Sequence, residues 1–173
     1  MNESIFGPLQ VKGEFGYDVS EVSGVTKELV NYINSIGGVD DLSILNLSKE
    51  IEGSVFTRVI RVDLGHINPI IGLITVEMLY GYTYNITHIS VHSSFRGQGL
   101  ANLLLMTLAK YISGKGQVIV NEVVSIVIPG DMDDLIMMFR HLKFNEIRLD
   151  PNYYMLKSTS QFVSIMNAPC LIG

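Results

Sequence analysis

Apolar residues in this chain change spacing several times, and each change marks an element. Val25, Leu29, Ile33 and Ile36 recur at helical spacing, which predicts a helix stopped by Gly37-Gly38. Asp40 to Ile51 predicts a second helix, with Asp40 or Asp41 as its N-cap. The period then tightens. Val55 to Val62 and Ile70 to Leu79 are rich in Val, Ile and Thr and predict a hairpin joined through residues 63–69. A turn at Gly81 leads to a strand from Tyr84 to Val91. Leu100 to about Ile112 is Leu/Ala/Met-rich and helical, with Gly114 as its stop; Gln117 to Ile128 is a β-branched strand ended by Pro129-Gly130. Asp131 is expected to cap a helix whose Met137, Met138 and Leu142 face the core, with Phe139 beside them. Phe144 to Leu149 and Tyr153 to Leu156 predict a closing hairpin across Asp150-Pro151-Asn152. Ahead of all these, Ile5 to Val11 reads as a first strand, and the Gly- and charge-punctuated stretch to Val22 as a loop.

Composition narrows the setting. The 173 residues suit one domain with a sizeable core, without repeats or linkers. The chain is 47% hydrophobic, yet Glu122 and Ser125 interrupt its best apolar run, Val118 to Ile128, well short of the roughly 18 residues a membrane helix needs. Met1-Asn2-Glu3-Ser4 opens no signal-like segment, and the single cysteine, Cys170, suits a reducing compartment. A cytoplasmic protein without membrane contact is expected. A net charge of -5 argues against a nucleic-acid backbone as the main partner.

The chemistry-bearing stretch runs from Ile89 to Ala101, where a strand becomes a helix through a turn holding Gly97 and Gly99. Such a turn leaves backbone N–H groups unpaired at the positive end of the helix dipole, a ready anion site. Without a Cβ, the two glycines let a phosphate approach the main chain. A dinucleotide fingerprint would need a third glycine where Asn102 stands, and a Walker A loop would need Gly-Lys-Ser/Thr; neither is present.

Arg96-Gly97-Gln98-Gly99-Leu100-Ala101 resembles the Arg/Gln-x-x-Gly-x-Gly/Ala signature of the GNAT N-acetyltransferase superfamily, and Val91 to Phe95 is typical of its fourth strand. The resemblance spans roughly Ile5 to Lys157. It implies an α/β (α+β) fold: a central mixed, mostly antiparallel twisted sheet of six to seven strands flanked by about four helices. It implies acetyl-CoA as cosubstrate, with Arg96, Gly97, Gln98, Gly99, Leu100 and Ala101 on its pyrophosphate. The main chain of Ile89, Ser90 and Val91 would align the pantetheine arm, and a backbone N–H near Val91 would polarise the thioester carbonyl. Residues 1–157 would form the single acyltransferase domain. Residues 158–173 would be an extension packed on it or at an interface, where Phe162, Ile165 and Met166 suit a core, a partner or a second copy in a homodimer.

A second segment, Met138 to Phe144, resembles the Phe-Tyr-Glu-Lys-Leu-Gly-Phe end of the family's fourth helix. The tyrosine that often protonates the leaving thiolate is matched by Phe139, and the glycine by Lys143. The family's usual base positions, four and six residues before Val91, hold Thr87 and Asn85, which do not titrate near neutrality. Strand alternation turns His88 to the face opposite Thr87 unless a bulge intervenes, so it is expected to be structural. His92 borders the turn, and His66 decorates a hairpin loop. Glu122 and Ser125 are substitutes on the neighbouring strand. Tyr84 leads a group with Tyr80, Tyr82, Tyr153 and Tyr154 that suits an acceptor cleft. The catalytic candidates are therefore Tyr84, Asn85, Thr87 and Glu122, with no metal.

Magnitudes leave room for chemistry without this machinery. Deprotonating an alkylammonium at pH 7 costs roughly 4 to 5 kcal/mol. A positioned base contributes about 10²- to 10⁴-fold, while holding amine and thioester together supplies roughly 7 to 11 kcal/mol. The leading expectation is an N-acetyltransferase that moves acetyl to a small-molecule or protein amine by direct transfer in a ternary complex. The alternative is a weak or inactive acyl-CoA-binding module of the same fold, which Asn85, Thr87 and Phe139 would suit.

Overall fold

The computed structural model describes residues 16–36, 41–116 and 121–167, with the main chain alone at 41–44. In chain order the elements are β1 (Tyr17–Glu21), α1 (Lys27–Ser35), α2 (Asp41–Glu52), β2 (Phe56–Val62), β3 (Ile70–Leu79), β4 (Thr83–Val91), a single 3₁₀ turn (Ser93–Phe95), α3 (Leu100–Ser113), β5 (Val123–Pro129), α4 (Asp133–His141), β6 (Asn145–Leu149), β7 (Asn152–Ser158) and α5 (Thr159–Met166). The strands form one mixed sheet in the order β1-β2-β3-β4-β5-β7-β6. β4 and β5 run parallel, whereas β1/β2, β5/β7 and β6/β7 are antiparallel. This is the α/β sheet architecture expected from the sequence, with seven strands and five helices among the described residues.

Two compact units divide the chain: Met1–Thr75 with His88–Leu104, and Val76–Thr87 with Leu105–Gly173. In the first, Thr26 caps α1 by accepting from the Leu29 amide at 3.2 Å, and Glu28 favours the positive end of its dipole. The apolar face of α1 then buries Leu29, Tyr32 and Ile33 with Leu47 and Ile51 of α2 and Val59, Ile70 and Leu73 of the sheet. In the second unit, Phe144 stands edge-on between Phe139 and Phe162, at 4.9 and 6.1 Å between ring centroids. Phe162 and Met166 of α5 are fully buried, so the stretch after Lys157 contributes helix and core to this unit.

Four expectations are corrected. The loop expected up to Val22 contains β1, whose register sets Asp18 opposite Arg61 and Glu21 opposite Arg58. Cross-strand charge pairing accompanies this strand, so apolar alternation did not reveal it. The early strand at Ile5 to Val11 and the Gly37-Gly38 stop lie outside the described residues, as do Asp40 and Cys170. β5 begins at Val123, after Asn121 in a left-handed conformation, rather than at Gln117; residues 117–120 are outside the description. α4 begins at Asp133, behind Met132, so Asp131 belongs to the preceding turn, while Asp133 and Asp134 supply the favourable charge. Met137 is 59% exposed, and the core face of α4 is Ile136, Phe139 and, just beyond it, Leu142.

Candidate functional site

The end of β4 builds an open cradle in the first unit. The His92 amide donates to the Ile71 carbonyl at 2.8 Å, fixing where β4 stops. Nδ1 of His92 then accepts from the Ser94 amide at 3.1 Å, and the Phe95 amide donates to the His92 carbonyl, closing the 3₁₀ turn. Nε of Arg96 donates to the Val91 carbonyl at 3.2 Å, so the guanidinium is anchored at the strand end. Gly97 and Gly99 both have φ of +79°, a region that strains any residue with a side chain. A Cβ at either would meet no protein atom within 4 Å, so both face open space. The first amide that α3 satisfies internally is Leu103, donating to Gly99 at 2.9 Å; the N–H groups before it form the helix's free donor end. Within that first turn, Oδ1 of Asn102 is buried without a hydrogen-bond partner among the described residues. Open glycines, free helical amides and an orphaned acceptor fit a phosphate-bearing ligand with amide groups.

Beside the cradle, within the same unit, lies a cavity of about 470 Å³. One stripe of α1 lines it (Glu28, Asn31, Tyr32 and Ser35), facing the β2–β3 loop at Ile67 and Pro69, with His92 and Phe95 closing one side. The buried Tyr32 hydroxyl is 2.7 Å from Oγ of Ser90, which is 2.7 Å from Nε2 of His88. Burial pushes the Tyr32 phenol up to about 12 and His88 down to about 4, so near neutrality both are uncharged. His92 is also lowered, by burial and by the Arg96 charge. This hydroxyl–imidazole chain accounts for His88 as a held, neutral residue.

Burial along β4 alternates from Tyr84 to Ile86, shows two half-buried residues at Thr87 and His88, and resumes with Ile89 and Val91 buried. A one-residue change of phase is what a bulge makes. The parallel register with β5 ends at the same place, with Ile86 opposite Ile126.

The second unit holds the other sequence candidates. Asn85 lies opposite Ser125 in register; Oγ of Ser125 donates to Oδ1 of Asn85, and Nδ2 of Asn85 donates to Glu77, each at 2.9 Å. Glu77 escaped the sequence reading. Its only signal was a lone carboxylate inside the apolar run of β3. Tyr84 is buried, its phenol raised by burial, with Nζ of Lys115 5.4 Å from its ring centre and the carboxylate of the buried Glu122 adding to the shift. Tyr80 and Tyr82 are exposed around the β3–β4 turn, and Tyr153 stacks under Arg140 and Arg148. Phe139 is sealed in its aromatic cluster, and Lys143 takes the left-handed φ of +64° that glycine usually supplies. Its carbonyl accepts from Nζ of Lys157 at 2.9 Å. No described helix is long and apolar enough to cross a membrane.

The model of the acetyltransferase (GNAT) family matches residues 41–125. No curated protein sequence matches the chain. Among solved structures, a putative acyl-CoA N-acyltransferase from Klebsiella pneumoniae superposes with a TM-score of 0.63 at 15% identity, covering 82% of this chain and 96% of its own. NAA60 of Arabidopsis thaliana in complex with acetyl-CoA gives 0.59 at 14%, covering 83% and 99%. An aminoglycoside 6'-N-acetyltransferase complexed with coenzyme A gives 0.60 at 12%, covering 82% and 97%. The acetyltransferase (GNAT) family match is confined to residues 41–125, just under half of the chain, and the solved structures show a fold that the chain shares with them.

Proposed function

We propose that this protein is an acetyl-CoA-dependent N-acetyltransferase that moves an acetyl group to a primary amine by direct transfer in a ternary complex. The observation that carries the reading is the cradle: two left-handed glycines facing open space at the free amino end of α3. Its amides from Gly97 to Ala101 and the anchored Arg96 would hold the pyrophosphate, as the family's motif does. Acetyl-CoA would supply an activated acetyl thioester. The main chain of Ile89, Ser90 and Val91 would align the arm, leaving the chain's task mainly one of positioning. The two neighbours solved with acetyl-CoA or coenzyme A support the same ligand for this chain.

The occupants of the proton-handling positions support a modest rate. Asn85 is committed to Ser125 and Glu77, and Phe139 is sealed and has no proton to give. Tyr84 and Glu122 are buried, with Nζ of the exposed Lys115 over the Tyr84 ring, and Thr87 is half-buried. The test is release of free thiol from acetyl-CoA over a panel of alkyl amines, aromatic amines, peptides and aminoglycosides. Acetylated product with stoichiometric thiol supports the proposal. Tight coenzyme A binding without thiol release from any acceptor would favour the inactive module.

A further inference from the structure

The cavity beside the cradle has walls that select by charge and by shape. Ile67, Pro69, Ile70 and Phe95 give it an apolar body, and its 470 Å³ suits a ring-sized ligand. Among the described residues its one ionised wall group, Glu28, is already paired. The Glu28 carboxylate is held by two N–H groups of the Arg61 guanidinium. Burial and the neighbouring Arg96 charge disfavour a proton on His92, whose Nδ1 accepts from the Ser94 amide. The Tyr32 hydroxyl stays protonated and joins Ser90 and the neutral His88. An ammonium entering here would lose its water and find no unpaired carboxylate, which is unfavourable. Ser90 lies between Ile89 and Val91, so Tyr32 connects the cavity wall to the main chain assigned above to the thioester arm.

We infer that this cavity receives the acetyl acceptor, and that the acceptor is a weakly basic amine on an apolar ring, such as an aromatic amine. The inference rests on the acetyltransferase reading and deepens it. Such an amine arrives unprotonated at neutral pH, so the absence of a base at Asn85 and Thr87 costs it nothing, whereas an alkylammonium must first lose a proton at roughly 4 to 5 kcal/mol. The nitrogen lone pair forms a bond to the acetyl carbon as the carbon–sulfur bond breaks. The bonding electrons leave on sulfur, and the proton from nitrogen reaches that sulfur through solvent, so amide and free thiol balance.

The test compares 4-methylaniline with its isomer benzylamine, equal in size and different in basicity. At pH 7 the aniline should show a kcat/KM at least about tenfold higher, and benzylamine should close the gap as rising pH deprotonates it. Asn31→Trp and Ile67→Trp, two exposed positions on opposite walls, should each raise KM for 4-methylaniline about tenfold while leaving coenzyme A affinity unchanged. Independently of turnover, 4-methylaniline should shift the amide resonances of Asn31 and Ser35 in the coenzyme A complex. Preference for benzylamine at pH 7, equal loss of coenzyme A affinity in both fillers, or unmoved Asn31 and Ser35 resonances would each overturn the assignment. If coenzyme A fails to bind, the acetyltransferase reading itself falls; if it binds and another amine releases thiol, only the acceptor assignment falls.

Discussion

The turn from Arg96 to Ala101 and the turn from Leu142 to Phe144 both use left-handed backbone, and they spend it differently. At the first, two glycines take φ of +79° and face open space. At the second, Lys143 takes φ of +64° beside a phenylalanine, Phe139, locked edge-on against Phe144. Open backbone with free donors is what a ligand needs; a filled aromatic cluster is what a core needs. On the proposed reading, the difference separates ligand binding from proton transfer: the first turn is open to a ligand, and the second is packed for stability.

Breaking the filled side should have the largest effect. Phe139→Ala removes a fully buried ring packed edge-on against Phe144 and should cost about 3 to 5 kcal/mol in urea unfolding, with coenzyme A affinity unchanged in the folded fraction. Phe139→Tyr restores the family's residue type but buries its hydroxyl in an apolar cluster; it should cost about 1 to 3 kcal/mol and leave turnover no faster. On the open side, His88 supplies a pH signature. Its folded pKa of about 4 lies below the ordinary 6.5, so the unfolded chain takes the proton first. Stability should therefore be full above about pH 6.5 and fall by about 2 to 3 kcal/mol toward pH 4, and unfolding curves of His88→Asn should lack this component. The smallest change is Lys143→Gly, which relieves the left-handed backbone, keeps the carbonyl that Lys157 uses, and should raise stability by about 1 kcal/mol in thermal unfolding.

Features set by local chemistry were legible before any coordinates. The cradle announces itself through two glycines between a β-branched run and a Leu/Ala run, and the β6–β7 hairpin through Asp150-Pro151-Asn152. What escaped depends on partners distant in sequence. β1 pairs antiparallel with β2, some forty residues on, and its Glu21 meets Arg58 there. Glu77 acquires meaning only from Asn85 on the next strand and Ser125 on the one after. Tyr32 of α1 acquires its role only from Ser90 and His88, nearly sixty residues on and within successive 2.7 Å steps. The exposure of Met137 was hidden because its neighbours Ile136, Phe139 and Leu142, at helical spacing, form the buried face instead.

The central claim is that the open turn is a coenzyme A site, and calorimetric titration of coenzyme A into the native chain and into Gly99→Val tests it most directly. A β-branched residue at φ +79° strains the turn and puts a side chain into the space the ligand would occupy. The account predicts saturable binding to the native chain and about 100-fold or weaker binding to the variant, with the variant still folded. Absence of binding to the native chain at millimolar coenzyme A, or equal affinity in both proteins, would contradict it.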